Sequence, residues 1–288
     1  MTIEDSKAVP FVIISRNRFS LVREAVEFGL RQSLTLKIII ADMQSTYPPL
    51  VEYLRTISSE QIQVLRLPNL GPRGLWINSQ FTNVVENSGF FLTDGDLDYS
   101  MTDSICCEEL ISYSKKYPGM RKIGSALRID DLDASIEKQR NVQLSESDNW
   151  NSLRKLSARA YFAPADTQLA YYPKYTENFY FWPSLRISGT CEVRHSPWYE
   201  NPEARTPEEI FYMDNARWWG VGGITSHEKA EAIGKKDKES LRVLRYAWLI
   251  LGILRISPRF GSLGLRLIIN RANRRSYMGY DELAEFLT

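Results

Sequence analysis

Two aspartates, Asp94 and Asp96, follow a short apolar segment at Phe90–Leu92. Alternating residues of an extended chain point the same way, so these two carboxylates can converge on one hard cation. Carboxylate oxygens suit Mg²⁺ or Mn²⁺, and these ions usually keep coordination positions open for substrate phosphates. The spacing therefore predicts a divalent-cation site that takes a diphosphate-bearing substrate.

The segment has two other interpretations, a solvated turn and a calcium loop. An isolated Asp-x-Asp is most often a solvated acidic turn. A calcium loop of the EF-hand type would use Asp94, Asp96 and Asp98 as its first three ligands, but it also needs Gly at its sixth position and Glu at its twelfth. Tyr99 and Ile105 occupy those positions, which excludes the EF-hand.

Strand-like and helix-like patterns alternate over the first hundred residues, which predicts parallel βαβ units with helices on both faces of a sheet. Ligands of such sheets bind at the carboxyl ends of the strands, where Ser15, Asp42 and Asp94 are expected. The predicted strands are 9–14, 36–41, 62–66 and 90–92; the predicted helices are 21–29 with Ser20 as N-cap, a short one after Pro48-Pro49, and 75–85.

Composition excludes several classes of protein. The 288 residues are 43% hydrophobic and 25% charged, which is ordinary for a globular protein, and the net charge of +1 argues against a chain-wide nucleic-acid surface. Three cysteines form neither a disulfide framework nor zinc-finger spacing. The acidic segment at residues 1–5 lacks a signal-peptide pattern, so a cytoplasmic location is expected.

The segment from Leu241 to Tyr280 has eight arginines and no acidic residue. Its longest uncharged stretch, Tyr246–Leu254, is too short to span a bilayer, which needs ~20 residues. Arginines interleaved with Trp and Leu on amphipathic helices predict a tail that lies on an anionic membrane surface. The alternative is a helical tail that packs on the core with solvated arginines.

The N-terminal half resembles GT-A glycosyltransferases, in particular the family 2-like group. The resemblance covers roughly residues 9–100 and lies in four motifs: Val12–Arg18, the strand ending at Asp42, Asn69-x-Gly71-x-Arg73-Gly74, and Thr93–Asp96. It implies that Ser15 and Asp42 contact a nucleoside, with Arg18 and Arg73 near it, and that Asp94 and Asp96 hold a metal on the diphosphate, Asp94 also facing the donor. The chain departs from the family in lacking Asp-Asp-Gly-Ser after the second strand and a Glu-Asp base motif.

Two later segments, 163–171 and 194–199, look like parts of a narrower bacterial GT-A group. In the first, Asp166 is the candidate base that would deprotonate an acceptor hydroxyl, with Glu208, Glu209 and Asp214 as the alternative bases. In the second, His195 is the candidate third metal ligand. The alternatives are a strand-start cap for Asp166 and a hydrogen-bonded structural imidazole for His195.

The expected fold is therefore an α/β GT-A fold, Rossmann-like, with a mostly parallel sheet, flanking helices and a basic, apolar helical tail. The expected domains are 1–235, divided into a nucleotide-sugar half (9–100) and an acceptor half (101–235), and a tail at 236–288.

The expected function is transfer of a sugar from a nucleoside-diphosphate sugar, with UDP favoured and inversion slightly favoured, to a glycan or lipid-linked glycan acceptor. Mn²⁺ or Mg²⁺ is the expected cofactor and bacterial surface polysaccharide synthesis the expected pathway, on the inner face of the cell membrane. One alternative is a nucleotidyltransferase, although Ser15–Arg18 lacks the glycine of a phosphate loop. The other is a non-catalytic sugar- or nucleotide-binding protein of the same fold.

Overall fold

The computed structural model describes residues 8–70, 74–165, 168–176 and 183–215. These residues lie within one compact unit of the chain, Met1–Arg217. The predicted boundary between residues 235 and 236 and the arginine-rich tail lie outside the described residues. No helix within the described ranges is long and apolar enough to cross a membrane.

Ten strands and six α-helices make up the described fold. The strands are β1 (Val9–Ser15), β2 (Leu36–Met43), β3 (Ile62–Leu67), β4 (Phe90–Asp94), β5 (Leu97–Asp98), β6 (Lys122–Ser125), β7 (Ala160–Tyr161), β8 (Ala170–Tyr172), β9 (Ser184–Ile187) and β10 (Arg194–His195). The helices are α1 (Phe19–Leu30), α2 (Pro48–Thr56), α3 (Ser79–Val85), α4 (Cys106–Lys116), α5 (Glu137–Glu146) and α6 (Pro207–Asn215). Short 3-10 helices lie at Ser147–Trp150, Ser152–Arg154, Gly189–Cys191 and Ser196–Trp198.

Eight strands form one sheet in the order β3-β2-β1-β4-β8-β6-β9-β7, and β5 pairs with β10 in a second, two-stranded sheet. Strands β1 to β4 are parallel, as their separation by helices predicts. Strand β8 is antiparallel to both of its neighbours, β4 and β6. The prediction of an α/β fold with a mostly parallel sheet and flanking helices is confirmed.

Alternate residues of β1 face opposite layers of the core, which explains why its apolar run is continuous. Phe11 packs against Phe28 of α1, with ring centroids 6.0 Å apart. The neighbouring Val12 belongs to a buried cluster on the other face that includes Phe81 of α3 and Trp76. Helices therefore cover both faces of the sheet, and the strands can be buried on both sides.

Two predicted helix limits are wrong. Helix α1 begins at Phe19 with Arg18 at its N-cap position, so Ser20 is not the cap. Helix α3 begins at Ser79 rather than at residue 75, because the Asn78 side chain accepts a hydrogen bond from the backbone of Gln80 and caps it there.

Candidate functional site

Three polar residues meet at the carboxyl edge of the parallel strands. In the sheet register Ser15 lies opposite Asp42, and Ile14, one residue earlier, lies opposite Asp94. The Ser15 hydroxyl is buried and has no hydrogen-bond partner among the described residues. The carboxyl ends of β1, β2 and β4 therefore lie side by side, as the sequence predicts.

The loops after β1 and β2 are joined by Asn17, which sequence reasoning missed. Its backbone lies in the left-handed region, at φ 53°, which asparagine tolerates better than most residues. Its backbone N–H donates to the Ser45 hydroxyl at 3.0 Å, and its side-chain oxygen accepts from the backbone of Thr46 at 2.7 Å and Tyr47 at 3.0 Å. One side chain thus fixes the loop that follows Asp42.

An open cleft of about 470 Å³ lies beside Asp42. The cleft is lined by Asp42, Gln44, Ser45, Arg66, Leu67 and Pro68. The Asp42 carboxylate pairs with Arg66, whose Nη1 lies 2.8 Å from Oδ2. Arg66 was not predicted as a site residue, although its place near the end of β3, next to Asp42 in the register, is a usable signal.

The turn at Asp94–Asp96 differs from the extended chain expected. Asp94 ends β4, Gly95 and Asp96 form a turn, and β5 begins at Leu97. A Cβ atom on Gly95 would lie 2.5 Å from the backbone oxygen of Ile14, so only glycine lets this turn pass so close to β1. The two carboxylates therefore reach the same edge through a turn rather than through strand alternation.

His195 lies next to this turn. Strand β10 pairs with β5, and the backbone N–H of Ser196 donates to the carbonyl of Asp96 at 3.0 Å. The His195 Nε2 atom lies 3.3 Å from Asp96 Oδ2, and Trp198 packs edge-on against the imidazole at 5.0 Å between centroids. The structure therefore brings together two of the three residues predicted as metal ligands, Asp96 and His195, from distant parts of the chain.

Asp96 is held in its ionised form. Burial raises its pKa, but the charge and hydrogen bond of His195, with the charge of Arg18, outweigh burial and leave the pKa below its ordinary value. The ionised carboxylate is the form that binds a metal.

The donor set fits a divalent cation held partly by its substrate. Asp96 Oδ1 and His195 Nδ1 are buried and lack hydrogen-bond partners in the described part of the chain. No group of three His, Cys, Asp or Glu side chains that could hold a metal is found among the described residues. One or two protein ligands are nevertheless typical of Mg²⁺ that also binds substrate phosphates.

Arg18 does not line the cleft beside Asp42. It is 5% exposed, its Nη2 lies 2.8 Å from Oε1 of Glu200, and its guanidinium lies 3.9 Å from the ring centroid of Tyr212 in α6. Burial raises the pKa of Tyr212, and Asp96 adds to that shift. Arg18 therefore joins Glu200 to α6, and its charge acts on Asp96, a role that the sequence did not indicate.

A second cleft of about 490 Å³ opens on the His195 side of the turn. Its lining includes Arg18, Asp131, Arg194, Tyr199 and Glu200. Arg194 lies 2.6 Å from Asp131, which also accepts a hydrogen bond from the Tyr199 hydroxyl at 2.7 Å. These bonds fix the backbone on both sides of His195 and give the cleft a polar wall.

Glu208 of α6, predicted as an alternative to Asp166 for the base, is engaged at the start of α1. Its carboxylate accepts hydrogen bonds from the Ser20 backbone at 3.0 Å and from the Ser20 hydroxyl at 2.7 Å. It therefore satisfies an otherwise unpaired donor at the start of α1, where a negative charge is favoured. The start of α6 itself has a local signal, because Thr206 and Glu209 form a reciprocal capping box.

Two predicted site residues, Arg73 and Asp166, lie outside the described residues. Their roles stay predictions. The roles of Ser15, Asp42 and Asp94 also stay predictions, although their positions agree with a common site.

No family model matches the chain, and the search of curated proteins gives no significant match. Solved structures do match. The mannosyltransferase PcManGT of Pyrobaculum calidifontis, solved with GDP-Man and Mn²⁺, is 14% identical with a TM-score of 0.38, over 58% of this chain and 45% of its own. TarS 1-349 of S. aureus is 12% identical with a TM-score of 0.32, over 42% and 36%.

A third match is glucosyl-3-phosphoglycerate synthase of Mycobacterium tuberculosis, solved with Mn²⁺, UDP-Glc and phosphoglyceric acid. It is 10% identical with a TM-score of 0.36, over 59% of this chain and 61% of its own. The matches thus span from about a third to three fifths of the length of these structures. The chain is similar to GT-A glycosyltransferases in fold alone, and at these TM-scores the likeness carries no weight for function.

Proposed function

We propose that this protein is a metal-dependent glycosyltransferase that moves a sugar from a nucleoside-diphosphate sugar, with UDP favoured, to a glycan acceptor. The observation that carries the proposal is the contact between Asp96 and His195, 3.3 Å apart, at the sheet edge where Ser15, Asp42 and Asp94 also lie. A structural turn gains nothing from a buried carboxylate oxygen without a partner. A site that binds a cation and phosphates does.

Of the three predicted ligands, Asp96 and His195 would hold the divalent metal, and Asp94, which the described structure does not group with them, is proposed to face the donor. When bound, Mn²⁺ or Mg²⁺ neutralises the charge that grows on the leaving diphosphate. The chain's own part is to favour the ionised form of Asp96 through the charge of Arg18, and to fix His195 through the pairing of β10 with β5. The ligands are thus oriented before substrate arrives, which lowers the cost of binding.

The nucleoside end of the donor would occupy the cleft beside Asp42. This cleft adjoins the loop fixed by Asn17, and its lining combines the polar Ser45 and Arg66 with the exposed Pro68. A mixed lining of this kind suits a flat base with a polar edge. Ser15 and Arg73 complete the proposed nucleoside contacts.

The acceptor would enter through the second cleft, on the His195 side. Asp166 is proposed as the base that takes the proton from the acceptor hydroxyl as that oxygen bonds to the anomeric carbon and the bond to the diphosphate breaks. A mechanism with such a base inverts the configuration. The acceptor is proposed to be a glycan, free or attached to a lipid, in bacterial surface polysaccharide synthesis at the inner face of the membrane.

The test is release of nucleoside diphosphate from a panel of UDP- and GDP-sugars, with Mn²⁺ or excess EDTA and with glycan acceptors. Turnover is expected only with metal. Asp166→Asn is expected to lose turnover and keep nucleotide affinity, since the base acts on the acceptor. Turnover of Asp166→Asn at the wild-type rate would remove Asp166 from the mechanism, and donor cleavage that is independent of metal would contradict the proposal.

A further inference from the structure

We infer that Arg66, oriented by Asp42, is the residue that reads the nucleobase, and that it selects bases with a carbonyl where cytosine and adenine carry an amino group. The inference rests on the proposed function, because it presumes a nucleoside diphosphate in the cleft beside Asp42. It assigns Arg66 to substrate contact and makes Asp42 a positioning residue.

The side chains of Asp42 and Arg66 differ in how far they are exposed to the cleft. The Asp42 side chain is 2% exposed, whereas that of Arg66 is 47% exposed, and both line the same cleft. A base that enters the cleft therefore meets the guanidinium first. Direct contact with Asp42 would require the base to displace Arg66 from its ion pair with that buried carboxylate.

The carboxylate of Asp42 is already engaged on both oxygens. Oδ2 lies 2.8 Å from Nη1 of Arg66, and Oδ1 accepts a hydrogen bond from the backbone of Ser45 at 3.3 Å. A buried carboxylate that pairs with one end of a guanidinium fixes the direction of the other end. Asp42 therefore acts on the ligand through Arg66.

The N–H groups of Arg66 that do not pair with Asp42 determine which bases can be recognised. A guanidinium donates hydrogen bonds and accepts none. Uracil O4 and guanine O6 are carbonyl acceptors, whereas cytosine and adenine carry an amino donor at the corresponding position. Arg66 thus matches uracil and guanine and leaves an unpaired donor against the other two bases, which is how a site rejects a near-isostere.

An exposed apolar residue in the cleft supports the same arrangement. Pro68 lies two residues after Arg66 and lines the cleft with it, so it offers a surface for the ring face. Stacking on such a surface does not distinguish bases. Discrimination therefore falls to the guanidinium.

The first test is calorimetric titration of UDP, CDP, GDP and ADP into the full-length protein with Mn²⁺. UDP is expected to bind about tenfold more tightly than CDP, and GDP about tenfold more tightly than ADP. A ratio of this size corresponds to one hydrogen bond from a charged group. Arg66→Gln is expected to abolish both ratios, because an amide can donate or accept. Arg55→Gln is the matched control, since Arg55 pairs with Glu52 on the exposed face of α2, away from the cleft, and it should keep both ratios.

The second test combines Asp42→Asn with Arg66→Gln, because coupled residues give non-additive losses. Asp42→Asn is expected to weaken UDP binding in the wild type and to have no further effect in Arg66→Gln. An equal loss in both backgrounds would mean that Asp42 contacts the nucleoside itself, and it would overturn the inference. Melting temperatures show whether each variant folds. If Asp42→Asn does not fold, the ratios of base affinities in Arg66→Gln decide the inference, and unchanged ratios would overturn it.

Failure of the inference and failure of the proposed function give different results. If no nucleoside diphosphate binds the wild type with metal, the proposed function is wrong. If all four bind with equal affinity, the function stands and the reading by Arg66 is wrong.

Discussion

At the scale of residues, the site depends on pairs that the sequence indicates only in part. The turn residues Asp94 and Asp96 were found from their spacing, and His195 from a resemblance, and the structure places His195 3.3 Å from Asp96. Glu200, which pairs with Arg18, carries no local signal, since its partner is fixed only by tertiary packing. Charges that meet through the fold are therefore the part of the site that pattern reading misses.

His195→Ala tests the proposed ligand. The substitution is expected to weaken Mn²⁺ binding on the order of tenfold or more, since it removes one proposed metal ligand and one partner of Asp96. The melting temperature should change little, because the imidazole is 29% exposed. Mn²⁺ titration with and without UDP is the measurement. His227→Ala, at the chain's other histidine, is the control, and an unchanged Mn²⁺ affinity in His195→Ala would make the imidazole structural.

Among the secondary-structure elements, the strands were predictable, whereas the start of α1 and the turn after β4 were not. The runs of β1 to β4 are buried and rich in branched residues, so periodicity finds them. The start of α1 was missed because its cap comes from α6, through Glu208, rather than from a neighbouring residue. The turn at Gly95 was missed because it depends on the distance to β1, which no local pattern contains.

Gly95→Ala tests whether the close approach of the turn to β1 sets the position of Asp96. The added methyl would lie 2.5 Å from a backbone oxygen of β1, so the turn must shift, at a cost on the order of 1–3 kcal/mol. We expect a lower melting temperature and weaker Mn²⁺ binding together. Gly119→Ala is the matched control, because a methyl there meets no atom within 4 Å. Metal affinity at the wild-type level in Gly95→Ala would contradict the account of the turn.

At the scale of the whole molecule, the described chain is a sheet whose carboxyl edge collects the polar residues of three strands. The parallel half was predictable because each strand is followed by a helix. The insertion of β8 between β4 and β6 was not, because antiparallel pairing over a long sequence separation leaves no periodic signal. Phe90 of β4 and Tyr172 of β8 stack across that junction with ring centroids 4.9 Å apart, and both rings are buried in the core.

The arginine-rich segment 241–275 carries the prediction of membrane association, which rests on its sequence. Each arginine near an anionic leaflet contributes about 1 kcal/mol of attraction, so three or four would hold the protein there. Vesicle co-sedimentation should rise with anionic lipid, fall with salt and disappear on truncation before Leu241. Absence of binding to anionic vesicles at low salt would exclude the membrane surface and leave the acceptor class open.

The proposed site at Asp96 and His195 binds a nucleoside diphosphate through a divalent metal. Calorimetric titration of UDP into the wild type with Mn²⁺, into the wild type with excess EDTA, and into Asp96→Ala with Mn²⁺ tests it most directly. We predict measurable affinity in the first titration, a large loss in the other two, and a folded Asp96→Ala by circular dichroism. Equal UDP affinity with metal and with excess EDTA would contradict the claim.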